Sequence, residues 1–274
     1  THPHPTESTR AELMKLNIVT PKTGAEWVRG GVRTFFKQPL ALGGLFFLFM
    51  GVISVITMVP MVGGALALAA LPAATLGLMQ ASAMAAAGTF PMPKVLFTAF
   101  IHGAAKRQAM LHLGALYTVA FLLVVGLTVL IDGGQFAKVY LFGEPVTMEM
   151  IESDGFYTAM WVGTLMYIPL GAMFWHAPAL VFWNDVSPAK SLFFSMAACW
   201  KNKGAMVVYM GCWFVLFALA SLVIVTIASA LAGPQMIGAL VAPLGMVLAS
   251  MFFASIYATY RDSFVIEHIV DTTV

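Results

Sequence analysis

The chain has 274 residues, 60% of them hydrophobic and only 9% charged. A soluble domain carries about 25% charged residues, so lipid must be the solvent for most of this chain. Fourteen Lys and Arg against twelve Asp and Glu exclude the basic footprint of a nucleic-acid binder, and two cysteines, Cys199 and Cys212, are too few for a disulfide framework.

Residues 1–22 form a polar tail without an apolar core, so no cleavable signal peptide is expected and internal helices must direct insertion. In residues 23–37, TGAEWVRGGVRTFFK, helical spacing puts Trp27, Val28, Gly31, Val32, Phe35 and Phe36 on one face and Arg29, Arg33 and Lys37 on the other. Thr23 and Glu26 are placed as a capping box. The pattern predicts an interfacial helix, its rings in the acyl boundary and its cations among anionic headgroups. A membrane span needs about 20 mostly apolar residues. Residues 40–59 and 62–87 supply the first two, joined tightly at 60–64. The second is rich in Gly and Ala, which let helices approach closely, so it belongs at the bundle centre or against a partner.

Residues 92–106, MPKVLFTAFIHGAAK, predict a second interfacial helix. It opens on Pro93, carries the stripe Leu96, Phe97, Phe100 and Ile101, and ends at the anchors Lys106 and Arg107. Spans 3 and 4 cover 108–131 and 158–183. The loop between them, 132–157, holds Asp132, Glu144, Glu149, Glu152 and Asp154 but a single cation, Lys138. Residues 187–201, SPAKSLFFSMAACWK, predict a third interfacial helix opening on Pro188. Its stripe is Leu192, Phe193, Met196 and Trp200, with Lys201 and Lys203 at the entry to the next span. Spans 5 and 6, at 205–232 and 236–260, meet at Gly233–Pro234, and a tail follows from 265 to 274. The runs are too long for barrel strands, and helices satisfy their own backbone in lipid. The expected fold is an all-α membrane protein, one domain over 23–264, with six transmembrane helices and three interfacial helices on one side.

With six spans, every cluster of Lys and Arg falls on that side and Lys138 alone falls on the other. Positive residues mark the cytoplasmic face. Both termini are therefore expected in the cytoplasm, and 132–157 outside it, periplasmic in a bacterial inner membrane. The second span after each interfacial stretch has an interior proline: Pro72, Pro169 and Pro243. This suggests a threefold unit of interfacial helix, straight span and proline-broken span, over 23–91, 92–186 and 187–264.

His112 and His176 are the two histidines clearly inside spans. Ionisable residues in a membrane are functional candidates, and both lie roughly 8–12 Å from the cytoplasmic end of antiparallel spans. Facing imidazoles could ligate a haem iron or line a proton path; an interfacial histidine bonding a carbonyl is the plainer alternative. Trp175, His176, Trp183, Asn184 and Asp185 form either a polar pocket at the cytoplasmic mouth or part of the aromatic belt. The proline breaks could border a transport cavity, although no buried acid or base accompanies them. Metalloprotease, nucleophile-elbow, C-x-x-C and Walker patterns are absent.

The stretch FWHAPALVFWNDVSPAKSLFFSMAACWKN, with GAEWVRGGVRTFFKQPLALGGL before it and SIYATYRDSF after it, resembles the BPSS1780 family of proteobacterial membrane proteins. The likeness runs from residue 24 to 264. It implies a bacterial inner-membrane protein and no particular reaction. The reading that follows is a non-catalytic membrane protein that acts by contact with lipids and a membrane-protein partner. It would be an accessory or assembly subunit of a larger respiratory or photosynthetic complex. A transporter or lipid-handling protein, and a haem-binding redox subunit using His112 and His176, are the alternatives.

Overall fold

A computed structural model describes residues 14–231 and 235–266. The ends of both expected tails, 1–13 and 267–274, and the Gly233–Pro234 turn lie outside the described residues. A short strand β1 (Met14–Leu16) precedes α1 (Lys22–Lys37), α2 (Pro39–Thr57) and α3 (Gly63–Ala86). A 3-10 turn at Pro93–Phe97 and the one-turn α4 (Thr98–Ile101) lead into α5 (Ala104–Asp132). Then come α6 (Gln135–Phe142), α7 (Met148–Glu152), α8 (Asp154–Trp175), α9 (Ala177–Trp183), α10 (Pro188–Lys201), α11 (Lys203–Leu231) and α12 (Gln235–Ser263). The strand β2 (Phe264–Ile266) pairs antiparallel with β1, Lys15 opposite Val265.

Six stretches are long and apolar enough to cross a membrane: α2, α3, α5, α8 with α9, α11 and α12. Each expected span falls on one of them. Six crossings return the chain to the side where it began, and the β1–β2 ribbon ties the two ends together there. That side is the terminal face. The Gly- and Ala-rich α3 occupies the centre: Leu76, Met79, Ala81 and Ala85 are fully buried among α1, α2, α5, α9 and α12.

The three stretches expected to lie flat at the interface differ. α1 has no capping box. It begins at Lys22 after Pro21, which leaves Thr23 already inside the helix, and no side chain caps it. Of its rings only Phe36, 64% exposed, is open to the surroundings. Trp27 and Phe35 are 1% and 5% exposed, because α1 docks on α11 and α12 through its small residues. A Cβ on Gly24 would collide with the Ala205 carbonyl, and one on Gly31 with Ser255. Arg29 and Arg33 stay exposed, and Lys37 donates to the last-turn carbonyl of Ala86 at 2.8 Å. Residues 92–106 are not one helix. Gly103, at φ +103°, breaks the chain after α4, so Lys106 and Arg107 belong to the first turn of α5. Residues 188–201 form a single helix, α10, as 23–37 do within α1.

Peripheral packing is cyclic. α1 rests on α12, the 3-10 turn rests on α3, and α10 rests on α8. Each therefore lies against a proline-containing span, the one before it in the chain or, for α1, the last. The prolines themselves do not break those spans. Pro72, Pro169 and Pro243 sit inside continuous helices, Pro72 buried and the other two exposed. Exposed prolines on two different spans do not bound one central cavity, as the transport reading required.

The acidic loop is also more than a loop. Gly133 and Gly134, both at positive φ, reverse the chain, and the Asp132 carboxylate accepts from the N–H groups of Gly134 (2.8 Å) and Phe136 (2.6 Å). This caps α6, which folds back along α5. Phe136 meets Phe156 near the start of α8, whereas Tyr140 meets Phe121, eleven residues below the end of α5. Glu144, Glu149 and Glu152 remain exposed.

Candidate functional site

The expected polar cluster sits where α8 gives way to α9. The residue responsible is Pro178, two positions into the new helix: it has no N–H, and its ring excludes the carbonyl four residues back. The ladder stops at His176. The gap is then closed from outside by Ser195 of α10. The His176 N–H donates to Ser195 Oγ at 2.9 Å, and that hydroxyl donates to the Ala172 carbonyl at 2.7 Å. One serine thus stands between the donor and acceptor that a continuous helix would have joined, an insertion of the kind that kinks helices.

The His176 ring is fully buried. Its Nε2 lies 3.2 Å from Thr259 Oγ1 on α12, and its Nδ1 lies 3.9 Å from the Cys199 thiol. Thr259 donates to the Ile256 carbonyl at 2.7 Å and accepts from Trp175 Nε1 at 3.0 Å. Its hydrogen is committed, so Nε2 must carry the imidazole proton and Nδ1 accepts. The histidine is a neutral hinge pin joining α8, α10 and α12. Burial pushes the Cys199 thiol up to about 12, so the Cys–His contact holds a neutral thiol and not a nucleophilic thiolate.

The neighbouring residues are equally committed. Trp183 Nε1 donates to Gln80 Oε1 at 3.0 Å, and Asn184 accepts from the Tyr260 hydroxyl. Lys106 Nζ donates to the Phe182 carbonyl at 2.6 Å and pairs with Asp185 at 3.2 Å. That cation therefore caps α9, where a lysine complements the helix dipole. The cluster is a filled polar network.

His112 is not part of it. It is exposed on α5, while both nitrogens of His176 face α10 and α12. A haem held between the two does not fit this geometry, because His176 has no open side. Of the remaining anchors, Lys201 and Lys203 are exposed, and Lys203 lies 5.2 Å over the ring of the exposed Trp200. Ser195, Thr259 and Tyr260 are the network members that sequence reasoning did not single out. A second tie, also missed, runs through Asn202. It accepts from the Val19 N–H at 2.9 Å and donates to the Asn17 carbonyl at 3.0 Å, fastening the entry segment to the bundle.

No family model and no solved structure matches the chain. A relative from Burkholderia thailandensis, described as a probable inner membrane protein, BTH_II0599, is 38% identical over 263 residues. The match covers 93% of this chain and 95% of that protein. The chain belongs to the same family as this probable inner membrane protein.

Proposed function

We propose that the protein is a non-catalytic inner-membrane subunit that acts by contact, as an accessory or assembly partner in a larger membrane complex. The observation that carries this reading is α11. Its terminal-face half is docked, with Ala205, Tyr209 and Trp213 buried, but between 214 and 227 no residue is buried. That half packs only loosely on its own bundle: Phe217, Ala220 and Ile224 are half-buried along one side, and the rest of its circumference is exposed, Phe214 75% and Leu222 63%. Without water to drive association, membrane helices pair by close packing. A helix face with no partner of its own is the natural place for another protein's helix. The distribution of cations puts the terminal face in the cytoplasm, so this free half lies in the periplasmic leaflet. The network around His176 is consistent with this reading, since it ties α8, α10 and α12 together.

The test is purification from the native membrane under gentle solubilisation, with photo-crosslinking groups at positions 214 and 222. A stoichiometric membrane-protein partner crosslinked at those positions is expected. A clean monomer carrying only lipid adducts there would overturn the reading.

A further inference from the structure

α1 crosses α11 near the start of that span and then leaves it. Gly24 lies so close to α11 that a Cβ there would collide with the Ala205 carbonyl, whereas Gly31, two turns on, is pressed against Ser255 of α12. In the angle between α1 and α11 lies a groove. Val28 and Arg29 line it on α1, and Val208, Cys212, Val215 and Leu216 line it on α11. The α11 side is one stripe at helical spacing. Its middle has no side chain, because Gly211 lines the groove too, and a Cβ there would meet nothing within 4 Å. The groove takes in about 540 Å³ and is open along one side, a form that suits a chain lying along it and not a compact guest enclosed by it.

Its two ends differ in chemistry. At the end under α1 stands Arg29, which is exposed and pairs with no carboxylate among the described residues. Arg33, one turn further on the same side of α1, is exposed and unpaired likewise, and Glu26, one turn before, makes no ion pair with Arg29. Away from α1 the lining is apolar apart from the Cys212 thiol. From Val208 to Leu216 it descends roughly 12 Å at 1.5 Å per residue, most of the roughly 15 Å of hydrocarbon in one leaflet. A free cation above an apolar slot of that depth matches the layout of a phospholipid, a phosphate at the boundary and a chain beneath it. Arginine grips phosphate through paired N–H groups. In phosphatidylcholine the choline already answers the phosphate charge, so the headgroup that gains most from Arg29 and Arg33 is an anionic one.

We infer that this groove seats one anionic phospholipid, its phosphate on Arg29 with Arg33 beside it and one acyl chain along Val208, Gly211 and Val215. The inference does not rest on the contact role proposed above, since the groove lies mainly on the docked half of α11 and its test contains no other protein.

The full chain is placed in phosphatidylcholine nanodiscs doped with phosphatidylglycerol that carries a diazirine midway along one acyl chain. After irradiation the labelled peptides are mapped. Saturable labelling of 208–216 is expected, displaced by unlabelled phosphatidylglycerol and not by inorganic phosphate, while the exposed face of α5 takes up label in proportion to dose. Arg29→Gln should weaken the site about tenfold and erase its preference for the anionic headgroup. Gly211→Leu fills the groove with both arginines in place, and it should abolish the saturable labelling. That variant meets no neighbour at its Cβ and replaces glycine by a better helix former; Arg29→Gln, at an exposed position, keeps the test decisive if the leucine variant fails to fold. Labelling of 208–216 that rises linearly with dose would overturn the inference, as would labelling that survives Gly211→Leu, which would mean a diffuse attraction to α1. Displacement by inorganic phosphate would give Arg29 to a free ion, and labelling that falls as more chains share a disc would give the groove to a second copy; either would overturn it too.

Discussion

α1 and α10 look alike as sequences and are built in opposite senses. Each is a short helix on the terminal face with an aromatic stripe and flanking cations. α1 turns its stripe inward, Phe36 excepted, so that Trp27 packs edge-on against Tyr209 and bonds Asp262 at 3.0 Å. α10 turns its stripe outward: Phe193 and Trp200 are 70% and 68% exposed, and its buried face is Ser191, Ser195 and Ala198. The difference lies in the small residues. Gly24 and Gly31 lie on the aromatic side of α1, so that side can approach other helices. In α10 the small residues lie opposite the rings, so the rings are left exposed. Amphipathicity alone does not distinguish a lipid from a protein interior, because both are apolar; the position of the smallest side chains does.

The comparison breaks most sharply at Trp27. Trp27→Ala should cost about 3–5 kcal/mol, the range for emptying a packed aromatic site. A denaturation midpoint in mild detergent would show it, and a midpoint unchanged from the parent would mean that α1 is not docked. The buried side of α10 comes next. Ser195→Ala leaves the His176 N–H without its partner and the Ala172 carbonyl with only the Cys199 thiol at 3.7 Å, a loss of about 1–3 kcal/mol in the same assay. Cys199 sharpens the same face without altering it. With its thiol pushed up to about 12, only about one molecule in ten thousand is thiolate at pH 8. Iodoacetamide at that pH should therefore leave Cys199 unmodified in the folded protein and label it after denaturation; labelling in the fold would show that the α10–α8 contact opens.

The spans were legible in the sequence because length and hydropathy decide them locally, and the central place of α3 followed from its Gly and Ala content. His176, Trp175, Trp183 and Asn184 were also legible as a polar group, since few such residues lie in an apolar chain. Their partners were not. Thr259 and Tyr260 are more than 70 residues away, and Ser195 reads as an ordinary headgroup-facing serine until Pro178 is seen to need it. The expected breaks at Pro169 and Pro243 did not occur because an exposed proline in a long helix is accommodated by local adjustment, whereas Pro178 falls where a serine from another helix stands ready. The return of α6 had a sequence signal that went unused: Asp132-Gly133-Gly134 ahead of Phe136 and Tyr140, a reversal followed by two rings one turn apart. The contacts of Phe136 with Phe156 and of Tyr140 with Phe121 depend on that return, so they could not be read without it.

The smallest effect is expected on the outer side of α10, and it is the most direct test of what that side faces. Trp200→Ala and Phe193→Ala remove exposed rings and leave the serine face intact, so stability should change by no more than about 0.5 kcal/mol. A null result in stability needs a positive companion, and fluorescence supplies it. In a variant keeping Trp200 as its only tryptophan, lipids brominated near the headgroup should quench the emission strongly, because an indole at the interface touches the acyl boundary. A variant keeping only Trp27 should be quenched little, since that ring is 1% exposed. Equal quenching of both would mean that the two helices lie alike on the bilayer, and the distinction drawn from Gly24, Gly31 and the serines of α10 would fail.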